Sequence, residues 1–214
     1  MAKQLLIFDC DSTLSEIEGV DELARLKGSA VFEASEALTH QAMNGEVEVE
    51  AVFGKRLELI QPTLADCSVI GQKYIEKIEP TAEATLARAR ELGWTPIILS
   101  GGFAIVIEPL AKLLGVERVE AVPLQFDEAG KYAGFDSDYP TTRSGGKPEV
   151  IERLKAEFSP EKIVMVGDGV SDLETAPTVD RFIGFGRYTP RKRVKAEAEY
   201  FVYALDEVIG LLDF

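Results

Sequence analysis

Four aspartates, a serine and a lysine stand where this chain could do chemistry. Asp9 and Asp11 flank Cys10 directly after the apolar run Leu5-Leu6-Ile7-Phe8. Ser100-Gly101-Gly102 follows the apolar text Thr95-Pro96-Ile97-Ile98-Leu99, and Gly167-Asp168-Gly169, with Asp172 nearby, follows Ile163-Val164-Met165-Val166. Lys147 opens a helical stretch between the last two groups. Short, continuous apolar runs fit strands buried on both faces of a parallel sheet. In open α/β sheets the chemistry lies just beyond the carboxyl ends of such strands. The spacing therefore predicts that Asp9, Asp11, Ser100, Lys147, Asp168 and Asp172 converge on one sheet edge.

Carboxylates from separate strand ends make a hard, oxygen-only site, which suits Mg²⁺ rather than zinc or copper. Ser100, Lys147 and the Gly101-Gly102 backbone offer donors to a phosphate. Carboxylates, Mg²⁺ and phosphate donors together read as phosphoryl transfer. Asp9 can attack phosphorus and divide one hard displacement into two. Asp11, on the turn after the strand, can protonate the leaving alkoxide and later deprotonate water. Lys147 and Ser100 would hold charge on the equatorial oxygens.

The elements that must position these residues follow from the apolar pattern. After the first strand, residues 16–78 show no strand. Helix-like stretches at 18–26, 30–43, 49–60 and 64–78 are punctuated by Gly28, Asn44-Gly45 and Gln61-Pro62. From residue 80, helices near 82–92, 105–114 and 147–158 alternate with strands at 95–99, 163–166, 181–185 and 200–202. A hairpin is expected where 119–126 and 132–135 flank Asp127-Glu128-Ala129-Gly130, and a short helix at 205–212. This alternation predicts an α/β fold, a doubly wound parallel sheet with a helical cap inserted after the first strand. The expected division is a catalytic core of residues 1–15 and 79–214 and a cap of residues 16–78.

Composition narrows the partners. The 214 residues carry a formal charge of −14, which disfavours nucleic acid and anionic membrane surfaces. No apolar run approaches the ~20 residues of a membrane span, and the N-terminus lacks the h-region of a secretory leader. Two cysteines, Cys10 and Cys67, exclude a disulfide framework, and one histidine, His40, excludes a site built on two imidazoles. A cytoplasmic enzyme acting on a small phosphomonoester is expected, with monomer and homodimer both open.

These motifs, in this order, resemble the haloacid dehalogenase-like phosphatases. Asp9-Cys10-Asp11-Ser12-Thr13 is similar to their DxDxT signature, and Ser100-Gly101-Gly102, Lys147 and Gly167–Asp172 are similar to their later motifs. Within that superfamily, Asp9 to Ala24, Ala42-Met43-Asn44-Gly45, Lys55 to Pro62 and Ser100-Gly101-Gly102-Phe103 resemble the phosphoserine phosphatase family. The resemblance implies Asp9 as nucleophile and Asp11 as general acid and base. It implies Mg²⁺ on Asp9, the Asp11 carbonyl and Asp168, with Asp172 in support, and phosphate on Ser100, Gly101 and Lys147. Glu18 would meet the substrate ammonium, Arg56 its carboxylate, and Met43 would line the same subsite. An Arg fork suits a carboxylate. Another small phosphomonoester (a phosphosugar or a phosphocholine-like compound) and phosphoryl transfer to homoserine remain alternatives.

The chain departs from that family at Val49, where the lid usually carries Phe, at Ser171, where Asn is common, and at Cys10, where Phe is frequent. Cys10 is expected to pack behind the strand, and His40 has no assigned role. The basic run from Arg187 to Lys195 reads as a solvated helix face, and residues 184–188 have no reading. Lid motion is expected to hinge at Gly19 or Gly28 and at residues 73–79.

Overall fold

In the computed structural model of the chain the described residues are 4–43 and 49–214, and the side chains of residues 42, 43, 49 and 50 lie outside them. The first strand, β1 (Gln4–Phe8), shows why its run of apolar residues is unbroken. Leu6 and Phe8 face one hydrophobic layer and Leu5 and Ile7 the other, all four with no exposed surface. A strand with helices on both faces has no polar side to present.

From β1 the chain enters four helices, α1 (Gly19–Leu26), α2 (Ser29–Met43), α3 (Val49–Ile60) and α4 (Leu64–Glu76), which form the cap. It returns through α5 (Ala82–Glu91) to β2 (Trp94–Phe103), then α6 (Ala104–Leu113) and β3 (Val119–Val122). A hairpin of β4 (Leu124–Phe126) and β5 (Tyr132–Phe135) precedes α7 (Gly146–Phe158), β6 (Lys162–Gly167) and α8 (Val170–Leu173). The chain ends with β7 (Arg181–Phe185), α9 (Lys192–Glu197), β8 (Tyr200–Val202) and a 3₁₀ segment, Leu205–Leu211.

Among the described residues one six-stranded parallel sheet runs in the order β3-β2-β1-β6-β7-β8. Residues of α5 and α6 pack with Leu6 and Phe8, and residues of α7 with Leu5 and Ile7. The crossovers on the two sides of β1 thus lie on opposite faces, and a crevice opens at its carboxyl end. Cap residues Leu57, Ile60, Ile70 and Tyr74 belong to the same apolar cluster as α5 and α6.

Two expectations change in detail. The stretch 119–126 is two strands, because Pro123 carries no N–H to continue a ladder; β3 joins the main sheet and β4 pairs antiparallel with β5. The terminal helix is 3₁₀ rather than α.

The end of α4 is bound to the loop after β1. Ser15 Oγ donates to the Tyr74 and Lys77 carbonyls at 3.1 and 2.9 Å. Glu16 N donates to Lys77 O and Glu79 N to Leu14 O, both at 2.9 Å. Gly71 lies so close to α6 that a Cβ there would stand 2.8 Å from Pro109 Cγ. Residues 73–79, expected as a hinge, are therefore tied to the core. Gly28, at φ +108° with no atom near its missing Cβ, keeps the freedom a hinge needs.

Candidate active site

The sheet brings the predicted residues to one edge, as the spacing of apolar runs requires. Asp9 follows β1 and is fixed by its N–H, which donates to Val166 O of β6 at 2.9 Å. Ser100 lies within β2, fully buried, and its Oγ accepts from Gly102 N at 2.9 Å. Asp168 follows β6, Asp172 sits in α8, and Lys147 is the second residue of α7. A cavity of about 520 Å³ opens above them, with Asp9, Asp11, Ser100, Lys147 and Asp168 in its floor.

The floor is tightly bonded and buried. Lys147 Nζ lies 2.5 Å from Asp172 Oδ1 and 2.9 Å from Asp9 Oδ1. The first contact is a directed hydrogen bond; the second is an ion pair without that alignment, and Asp9 Oδ1 accepts no hydrogen bond. The other oxygen of Asp172 accepts from Gly169 N at 2.8 Å. Gly167 makes this possible, since a Cβ there would stand 2.3 Å from the Asp172 carboxyl carbon. Burial pulls the Lys147 pKa down, but the Asp172 and Asp9 charges outweigh it and hold the ammonium protonated above its usual range.

The carboxylates also shift upward, because burial and their mutual repulsion outweigh the cations beside them. Burial and then the Asp9 charge raise Asp172 to about 8 and Asp168 to about 7, against the relief that Lys147 and Arg191 supply. Oxygens of Asp9, Asp168 and Asp172 all lie within 4.8 Å of one another. This excess of buried negative charge, with an Asp9 oxygen lacking a hydrogen bond, fits a hard divalent cation. Asp172 has both oxygens committed to protein donors, so Asp9 and Asp168 are the carboxylates free to ligate.

Asp11 stands apart from that group. Its Oδ1 accepts from Tyr74 Oη, and Oδ2 faces Gly19 N at 3.4 Å. Burial, then Glu18 and Asp9, raise its pKa well above the usual carboxylate range. Such a group can carry a proton beside ionised neighbours.

The cap side of the cavity carries Glu18, Asp21, Phe53 and Arg56. Glu18 Oε1 accepts from Ser12 Oγ at 2.7 Å, and Ser12 holds this position in the left-handed region at φ +50°. Burial, opposed by the Ser12 bond, raises the Glu18 pKa. Arg56 reaches the cavity but is already engaged, donating to Ser35 Oγ at 2.7 Å and to Asp21 Oδ1. Gly101 also lines the cavity. The side chains of Met43 and Val49 lie outside the described residues.

Several contributors have no role in the sequence reading. The basic run is a solvated helix face only in part: Lys192, Arg193 and Lys195 are exposed on α9, whereas Arg187 and Arg191 precede the helix and pair with acids. Arg191 Nε donates to Asp168 Oδ2 at 3.1 Å and its Nη2 lies 3.9 Å from Glu18. Arg187 pairs at 3.2 Å with Glu79, whose side chain is fully buried. The segment 184–188 thereby gains a reading, since Gly184 and Gly186 lie under the Phe201 ring. Tyr74 sits at helical spacing with Cys67 and Ile70 and reads as core, and Phe53 as an ordinary apolar face. Phe53 packs edge-on to Phe103 and Phe135, with centroids 5.5 and 5.2 Å away, one helical turn from Val49. His40 lines the cavity from the surface. Cys10 is fully buried, as expected.

Comparison with known proteins agrees with this geometry. Residues 3–180 match the haloacid dehalogenase-like hydrolase family. The chain is 40% identical to a phosphoserine phosphatase of Bos taurus over 208 residues, 96% of this chain and 92% of the bovine protein. It is 33% identical to that of Methanocaldococcus jannaschii over 175 residues, 80% of each chain. A solved phospho-aspartyl intermediate analogue of phosphoserine phosphatase, 26% identical, superimposes over the full length of both chains with a TM-score of 0.82. No helix among the described residues is long and apolar enough to cross a membrane. With the nucleophile motif, the buried lysine and the paired aspartates at one sheet edge, the chain belongs to the haloacid dehalogenase-like hydrolases and, within them, to the phosphoserine phosphatase family.

Proposed function

We propose that the protein hydrolyses O-phospho-L-serine to L-serine and inorganic phosphate through a phosphorylated Asp9. The observation that carries this reading is the pairing of a buried Asp9–Lys147–Asp172 floor with a cap that presents an anion, Glu18, and a cation, Arg56, to one cavity. A phosphorylated amino acid needs all three features: a nucleophile for phosphorus, an anion for its ammonium and a cation for its carboxylate.

In the first step an Asp9 oxygen bonds to phosphorus, the P–O bond to serine breaks, and the Asp11 proton passes to the departing serine oxygen. In the second, Asp11 takes a proton from water as its oxygen bonds to phosphorus and the Asp9–P bond breaks. Ser100, the Gly101 backbone and Lys147 hold the phosphoryl oxygens, and Arg191 adds positive charge beside Asp168. Asp9, the Asp11 carbonyl and Asp168 would hold Mg²⁺, which supplies charge neutralisation between the carboxylate and the phosphoryl group. Glu18 holds the ammonium and Arg56 the carboxylate; Met43, whose side chain lies outside the described residues, is assigned to that subsite on the sequence resemblance alone. The core comprises residues 1–15 and 79–214 and the cap residues 16–78. Both cysteines are free thiols, consistent with the reducing cytosol.

The test is phosphate release from L-phosphoserine with and without Mg²⁺, beside phosphothreonine, phosphocholine and sugar phosphates. Metal-dependent preference for phosphoserine, with loss of both turnover and acid-stable phosphoenzyme in Asp9→Asn, is the expected result. Because Arg56 is engaged by Asp21 and Ser35, a second reading is a phosphomonoester without a carboxylate. Preference for such an ester would keep the Asp9 chemistry and replace the substrate.

A further inference from the structure

Tyr74 is placed where a core residue needs no hydroxyl. Its ring is fully buried in the apolar cluster shared by cap and core. A buried hydroxyl without a partner is destabilising, so its bond carries meaning. That bond goes to Asp11 Oδ1. We infer that Tyr74 is a positioning residue for the leaving-group proton, holding Asp11 by one carboxylate oxygen so that the other faces the substrate.

Three observations support this beyond the bond itself. First, only one Asp11 oxygen is firmly held. Oδ2 has a long 3.4 Å approach from Gly19 N and lies at the cavity, where a Cβ on Gly102 would stand 3.4 Å from it. Second, the fold makes room for the phenol. A Cβ at Gly19 would stand 2.2 Å from Tyr74 Oη, so the helix start at α1 admits the hydroxyl only because residue 19 is glycine. Third, Tyr74 is anchored independently of the outer cap. Its carbonyl accepts from Ser15 Oγ, and α4 is tied to the core loop through Leu14, Glu16, Lys77 and Glu79. Asp11 therefore keeps its orientation whatever α2 and α3 do.

The inference rests on Asp11 being the proton donor in the first step. There the Asp9 oxygen bonds to phosphorus, the bond to the serine oxygen breaks, and the proton on Asp11 passes to that oxygen. Tyr74 keeps its own proton throughout. A misdirected Asp11 slows departure of an alkoxide but matters little for a phenolate stable without protonation.

The experiment compares kcat/KM for L-phosphoserine and p-nitrophenyl phosphate, since that ratio reports only steps through phosphoenzyme formation. Tyr74→Phe is expected to lower the phosphoserine value by about 10- to 100-fold, the scale of a misplaced catalytic group, while changing the aryl ester less than about threefold. The retained aryl activity also shows that the variant folds. Gly19→Ala, which pushes the hydroxyl off Asp11 without removing it, is expected to give the same selective loss, and stands in should Tyr74→Phe fail to fold. Asp11→Asn separates the two ideas. If it discriminates between the esters and the Tyr74 and Gly19 variants do not, the positioning inference is overturned alone. If Asp11→Asn treats both esters alike, the proton-donor reading falls and the Tyr74 inference with it.

Discussion

The two ends of the cavity are built on opposite principles. At the floor, Asp9, Lys147, Asp168 and Asp172 are at most 7% exposed and sit on strand ends or helix first turns. On the cap side, the Glu18 and Asp21 side chains are 43% and 35% exposed and sit on or beside helices of an insertion. The floor handles a group common to every phosphomonoester, so it can be fixed and dehydrated in advance. The cap must tell one ester from another and admit it, so Arg56 is held by Asp21 and Glu18 by Ser12 until a substrate replaces those partners. The comparison predicts that floor substitutions act on turnover and stability together, and cap substitutions on substrate choice.

The largest effect should come from Lys147→Met. It removes the cation between Asp9 and Asp172 and leaves buried carboxylates unmatched. We expect a loss in kcat of about 10²–10³-fold and a stability loss of about 3 kcal/mol at neutral pH. Denaturant unfolding in parallel with phosphate release checks both. A variant that loses activity at unchanged stability would mean the floor is not preassembled through this lysine.

The same crowding makes stability depend on pH and metal. Asp168 and Asp172 are raised from 3.8 to about 7 and about 8. The folded protein thus binds more protons than the unfolded chain between those values, and stability falls as pH rises. The metal-free protein should melt at higher temperature near pH 5.5 than near pH 8, and added Mg²⁺ should raise the melting temperature more at pH 8. Equal Mg²⁺ shifts at the two pH values would show that Asp168 does not take up the ion.

How far these differences could be read from the chain alone follows the same division. The floor was legible because Asp9 and Asp168 follow buried strands directly and Ser100 lies in the last part of one, so an apolar run passing into Asp or Ser-Gly-Gly marks both strand and chemistry. Lys147 needed the ordered set around it, since a lysine in a first helical turn is otherwise anonymous. Arg191 was not legible: its approach to Asp168 depends on how the chain turns between β7 and α9, and a cluster of Arg and Lys in an acidic protein looks like solvated surface. Tyr74 was hidden for the opposite reason, because helical spacing with Cys67 and Ile70 makes it look apolar. The split at Pro123 could have been read from proline chemistry alone. The tie between α4 and the core could not, because it runs through Ser15 and backbone groups about 60 residues apart.

Arg56→Ala tests the cap directly and should have a smaller effect than any floor change. The expected loss in kcat/KM is about 10- to 100-fold for phosphoserine, the worth of a charged hydrogen-bonding partner, with phosphate esters that lack a carboxylate left nearly unchanged. Loss on every ester alike would place Arg56 with the floor and dissolve the division.

The smallest expected effect belongs to Phe53, and it bears on why Val49 is tolerated. A lid closes over a substrate by apolar contact, and Val49 is smaller than the phenylalanine usual there. Phe53 lines the cavity one turn away and is braced edge-on by Phe103 at the end of β2 and by Phe135 of the hairpin. Its ring therefore couples α3 to two elements of the core. Phe53→Leu keeps the apolar character and removes the aromatic pairs, worth about 1 kcal/mol. KM for phosphoserine should rise roughly fivefold at unchanged kcat, since a wall no longer braced by those pairs holds ground state and transition state less well alike. Adding Val49→Phe should restore part of the loss if the two positions share one apolar wall. A fall in kcat instead would mean that closing the cap helps to set the floor, and the two ends would have to be treated as one machine.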